Sequence, residues 1–116
     1  MIALLTVVLA LQAWTPPPVS ELTFAEAYAC TALATSARSI EFPDPSAPLT
    51  PQQQSLWDDL TTLQVAASAA ADLAAQREGL GNRPAEEALV REQIVEAGDE
   101  KAMQILVRCM MVFGLG

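Results

Sequence analysis

Cys30 and Cys109 are the only cysteines in the chain, and each stands among apolar residues repeated at helical spacing. Around Cys30 these are Ala27, Leu33 and Ala34; around Cys109 they are Ile105, Leu106, Val112 and Phe113. An even count of thiols in a small exported chain, both on apolar helix faces, predicts a structural disulfide between them. The loop it closes, roughly eighty residues, restricts the unfolded chain by about 4 kcal/mol in the chain-entropy picture. Two buried free thiols are the expectation for a cytosolic chain instead. A redox-active pair is not predicted, because there is no CxxC and Arg108 points to another face of its helix.

Cys109 with Met103, Met110 and Met111 makes a soft donor set of the kind Cu(I) takes. Consecutive helical residues diverge by about 100°, so these sulfurs cannot converge on one ion, and core packing explains the methionines. Carboxylates adjoin at Asp58-Asp59, Glu86-Glu87 and Asp99-Glu100. Neighbours on a helix do not face each other, and two of the pairs fall in first turns, where negative charge complements the helix dipole. A glycosidase-like acid and base would need carboxyls on separate elements across a cleft. The chain has no histidine, which removes the commonest general base and zinc ligand. No GxSxG, HExxH, P-loop or GxGxxG pattern is present. No enzyme activity, metal or other cofactor is predicted.

Six Lys and Arg against fourteen Asp and Glu leave a formal charge of −8. Nucleic acid and anionic membrane surfaces both need a positive face, so neither is an expected partner. With 52% hydrophobic residues in 116, the chain is one domain with ample material for a core.

The elements that must position the cysteines can be read in order. Met1 to Ala13, an apolar run too short for a bilayer-spanning helix, reads as a signal peptide, although no Lys or Arg precedes it. Residues 14–19, with Pro16, Pro17 and Pro18, form a stiff extended spacer. Residues 20–116 are then a helical bundle domain. Its first helix runs from Ser20 to Ile40, capped by Ser20 or by Thr23 with Glu26 as a capping-box pair. Leu22, Ala25, Ala29, Leu33, Ala37 and Ile40 mark its expected buried stripe. Prolines at 43, 45 and 48 make a non-helical connection, with Phe42 expected to fold back on the core.

Thr50, Pro51 and Gln53 open a long helix that ends at Gly79, and it is expected to be the element the rest is built around. Leu56, Leu60, Leu63, Ala67, Ala70 and Ala74 recur at four and three residues along it, one apolar seam. Asn82 and Pro84 start the next helix, with Glu87 and Arg91 as an i,i+4 pair and Leu89, Val90, Ile94 and Val95 apolar. Gly98-Asp99 is a break with Asp99 as a fresh N-cap, a kinked continuation being the alternative, and Glu100 to Phe113 is the last helix, nearly apolar all round. A helix of that kind is either central or exposes a patch that needs a partner.

The fold class is therefore all-α, a small three- to four-helix bundle behind an N-terminal signal-like segment. The expected role is that of an exported, periplasmic or secreted, non-enzymatic protein: an interaction or stress-related, chaperone-like module. A protein partner or a second copy would meet Val107, Met110, Met111 and Phe113, or the alanine face of the long helix, and no stable membrane span is expected. As a small helical chain with one disulfide, the protein is similar in outline to small periplasmic acid-stress chaperones, an analogy of architecture. That resemblance implies a response to acid, where protonating all fourteen carboxylates would carry the net charge from −8 to +6. The alternative is a small enzyme or enzyme inhibitor with an inter-helix site and Arg38, Arg77, Arg83 or Arg108 as anchor for an acidic ligand. A membrane-tethered subunit that keeps its N-terminal run is the third.

Overall fold

A computed structural model describes residues 15–115, and the expected signal peptide of residues 1–13 lies outside them. Among the described residues there are four α-helices and no strand: α1 (Phe24–Glu41), α2 (Pro51–Glu78), α3 (Arg83–Ala97) and α4 (Asp99–Val112). The all-α bundle expected from the sequence is the fold.

The helix ends follow from local chemistry. The α2 start has the whole predicted capping box: the Thr50 hydroxyl accepts from the Gln53 N–H while the Gln53 side chain accepts from the Thr50 N–H, with Pro51 at the first position. At its other end Gly79 is left-handed (φ 64°), Leu80 N–H donates to Ala75 C=O, and Gly79 N–H donates to Gln76 C=O. That pairing satisfies two carbonyls the helix would otherwise leave open. For α1 the later of the two expected starts is the real one: Thr23 caps with Glu26. Ser20 instead sits in a 3-10 turn, Val19–Glu21, following directly on Pro18 in extended geometry. Gly98 breaks the last two helices at φ 90°, a backbone region that side chains disfavour. Here Asp99 is the first residue of α4, without a side-chain capping bond, and not its cap.

The α2 seam is buried as expected at Leu60, Leu63, Ala67, Ala70 and Ala74, with Ala71 added and Leu56 half-buried. Its leucine half joins Cys30, Leu33, Ala34, Phe42, Leu106 and Cys109. Its alanine half receives Leu22, Phe24 and Ala27. The small residues leave a shelf, and the Phe24 ring, 2% exposed, occupies it. Because α1's start meets α2's end and α1's end meets α2's leucines, the two helices run antiparallel. Phe42 does fold back, its ring edge-on to Trp57 at 5.3 Å between centroids.

Three expectations are corrected. First, α1 and not α2 is the hub, since it packs against α2, α3 and α4, while α3 and α4 otherwise pack mainly on each other. Second, the buried stripe of α1 is Phe24, Ala27, Cys30, Leu33 and Ala34. Ala25 is exposed, Ala29 is half-buried and Ile40 is 75% exposed. Phe24 and the bonded Cys30 set the rotation of α1 because they bring far more contact than an alanine does. Third, Glu87 pairs with Arg83 at 3.1 Å and not with Arg91, since Arg83 also reaches Asp72 of α2 at 2.7 Å. Arg91 is drawn to the Tyr28 hydroxyl at 2.6 Å. Of α3's expected apolar positions only Val90 is buried; Leu89 is exposed and Val95 is 80% exposed, so α3 is the least embedded helix.

Candidate functional site

Cys30 and Cys109 are bonded, with their Cα atoms 5.6 Å apart across α1 and α4, within the ordinary span for such a bridge. The cross-link clamps the last helix to the hub helix. Beside it a groove of about 420 Å³ opens between α1, α3 and α4, within the roughly 300–1,000 Å³ of ligand pockets. Ala25 and Ala29 of α1 form its floor, Val90 and Ile94 of α3 one wall, and Ile105 and Val112 of α4 the other. The two half-cystines, Leu22 and Pro17 complete the lining, and Glu26, Gln93 and Arg108 supply its polar groups.

This groove accounts for Ala25 and Ala29, two positions of the expected stripe that are not buried, whereas Leu22 and Leu33 are buried as expected. Ala25 and Ala29 do lie on an apolar face, but that face looks into the groove. The disulfide and the shared core of Leu33, Ala34 and Leu106 together join α1 to α4 beside the groove.

The arginines proposed as anchors are engaged within the fold. The Arg38 guanidinium lies 4.2 Å over the Trp57 ring and donates to the Gln64 side chain, while its buried Nε has no hydrogen-bond partner. Arg77 donates to the carbonyls of Ser20 at 3.0 Å and Leu22 at 2.5 Å. Arg83 holds Asp72 and Glu87, and the hydrogen bond to Asp72 is the main reason its guanidinium is pushed above the usual arginine range. Arg108 is the one of the four that lines the groove.

The carboxylate pairs do not converge. Asp58 accepts from Gln54 at 2.9 Å, Glu87 is bound to Arg83, and Asp99 and Glu100 stand in the first turn of α4. Among the described residues no group of three or more His, Cys, Asp or Glu could hold a metal ion. The sulfurs of the soft set also diverge: Cys109 is bonded to Cys30, Met110 packs against the core, and Met103 and Met111 are exposed.

Comparison with family models, curated proteins and solved structures finds no match.

The four residues expected to form a partner surface are split by the fold. Val107 and Met111 are exposed on the outer side of α4 and, with Met103, form a stripe at i, i+4 and i+8. Met110 and Phe113 pack against the core. A second exposed apolar stripe, Val65, Ala69 and Leu73, runs along α2. No helix among the described residues is long and apolar enough to cross a membrane. Sequence reasoning missed the groove. Its signal was the run of alanines on α1 opposite branched residues on α3 and α4, which marks either close packing or empty space.

Proposed function

We propose that the protein is an exported, non-enzymatic interaction module of the stress-related, chaperone-like kind, which takes an apolar segment of another protein into the groove between α1, α3 and α4. The observation that carries this reading is the largely apolar groove lined by Cys30 and Cys109. A surface that stays open without collapsing costs its apolar partner little reorganisation on binding. Gln93, in the lining, can meet the backbone of a bound segment. Export is supported by the pairing of both cysteines, since such bonds persist in oxidising compartments, and by the apolar run Met1–Ala13 before the prolines.

Two measurements test it. Mass spectrometry of the natively expressed chain reads its amino terminus and its thiols together; an unprocessed cytosolic chain with two free thiols sinks the export half. Titration with an environment-sensitive apolar dye, then displacement by apolar peptides, tests the groove. Ala29→Phe should abolish binding by filling the floor, and a wild-type chain that binds neither dye nor peptide ends the binding half. Suppression of client aggregation at low pH tests the stress role.

A further inference from the structure

A second hollow, of about 340 Å³, lies between α1 and α3, with Tyr28, Thr31 and Thr35 on one side and Arg91, Ile94 and Val95 on the other. Its lining holds a guanidinium and no carboxylate, in a chain whose formal charge is −8. We propose that this hollow binds a small aliphatic carboxylate, its charged end held by Arg91 and the Tyr28 hydroxyl and its alkyl end resting on Ile94 and Val95.

The fold makes Arg91 available by engaging the acid nearest to it in sequence on the same helix face. Glu87, four residues before it, is held by Arg83 at 3.1 Å, and Arg83 is anchored in turn to Asp72. Among the described residues Arg91 donates only to the Tyr28 hydroxyl, at 2.6 Å, which leaves most of its five N–H donors unused within the fold. The phenol accepts that bond, and its own proton has no acceptor among the described residues. Tyr28 is held in place by stacking on the buried Phe24 ring, with centroids 5.7 Å apart and planes 14° from parallel. A hydroxyl donor on a fixed ring beside a guanidinium fork matches the two oxygens of one carboxylate. Thr31 and Thr35 turn their hydroxyl protons to the carbonyls of Ala27 and Thr31. Few donors remain beyond the Arg91–Tyr28 pair, which suits a carboxylate better than a phosphate. Val95 is 80% exposed at the edge of the hollow, and an alkyl chain lying on it removes that surface from water. Ile94 lines this hollow and the groove alike, but the carboxylate site does not rest on the groove reading.

The test is a titration of the full ¹⁵N-labelled chain with 4-methylpentanoate, followed by NMR. Amide shifts at Thr31, Thr35 and Val95 should move and saturate with Kd on the order of millimolar, as expected for one charged anchor on so small a ligand. The amide 4-methylpentanamide, alike in shape and uncharged, should bind at least about tenfold more weakly. Arg91→Gln should weaken binding of the acid by a similar factor, and Tyr28→Phe, which keeps the stack on Phe24, several-fold. Val95→Glu places a carboxylate four residues on from Arg91 and should block the site from within the chain. Should Arg91→Gln fail to fold, Val95→Glu at its exposed position and the comparison of acid with amide decide the matter. Equal binding of acid and amide overturns the proposal, as does undiminished binding in Arg91→Gln or Val95→Glu, or the lack of any saturable shift. Shifts at Ala25 and Val112 in place of Thr31 and Val95 would put the ligand in the groove and overturn it too.

Discussion

The main-chain N–H of Phe24 donates to the Glu78 carboxylate at 2.7 Å, across 54 residues of sequence. Glu78 stands at the C-terminal end of α2, where a negative charge opposes its own helix dipole, yet it meets the positive N-terminal end of α1. Next to it Arg77 takes the carbonyls of Ser20 and Leu22. One helix end thereby serves as a second cap for the start of another. Glu78→Ala should destabilise the fold by about 1 kcal/mol, and Glu78→Gln, which keeps an acceptor, by less. Urea unfolding followed by far-UV circular dichroism measures both, and equal stability of all three chains would show the bond to be idle.

The Cys30–Cys109 bridge spans a sequence separation of 79. Replacing both residues by serine should lower stability by about 4 kcal/mol, chiefly by freeing the unfolded chain. The loss should concentrate in α4, which the bond ties to α1 in addition to their shared core. Hydrogen exchange should therefore rise in Asp99–Val112 well before it rises in α2. Uniform exchange along the chain would contradict this division.

Ala71 is 1% exposed beneath the Phe24 cluster, whereas Ala69 lies on the outer side of the same helix. Ala71→Leu should cost about 1–3 kcal/mol by overpacking. Ala69→Leu should change stability by less than about 0.5 kcal/mol. Leu63→Ala, at a fully buried position, should cost about 2–5 kcal/mol. Thermal melts rank the three, and an Ala71→Leu chain as stable as wild type would mean that the shelf is not closely fitted.

Asp44 begins the turn between α1 and α2. The Ser46 hydroxyl, donating at 2.7 Å, and next the Ser46 N–H at 3.0 Å hold its carboxyl below the ordinary 3.8. A carboxyl with a depressed folded value stabilises the native state above its unfolded value, and that contribution is lost as pH falls through the folded one. Asp44→Asn should therefore be less stable than wild type at neutral pH, with the gap closing as acid protonates Asp44. Chemical denaturation at a series of acidic pH values reads the gap. A gap that widens in acid has the wrong sign for this turn.

Much of this molecule was legible because its signals are short-range. Thr50 with Gln53, Thr23 with Glu26, Asn82 accepting from Ala85 N–H, and Gly79 and Gly98 at helix ends all act within a few residues. Their chemistry is complete in the local sequence. The α2 seam was readable for a related reason: an apolar repeat at three and four residues leaves one face that must leave water. Pairing of Cys30 with Cys109 was reachable too, since two thiols admit one intrachain partner each.

Only the tertiary structure decided which side of α1 faces α2. Ala25, Ala29 and Ile40 are apolar like Ala27 and Ala34, and only the packing of the other helices leaves the first three short of burial. It also decided Arg91's turn toward Tyr28, which depends on a contact 63 residues away. The groove belongs in the same class: a hollow is the shortfall between surfaces on three helices, and no single stretch of chain carries the information for it.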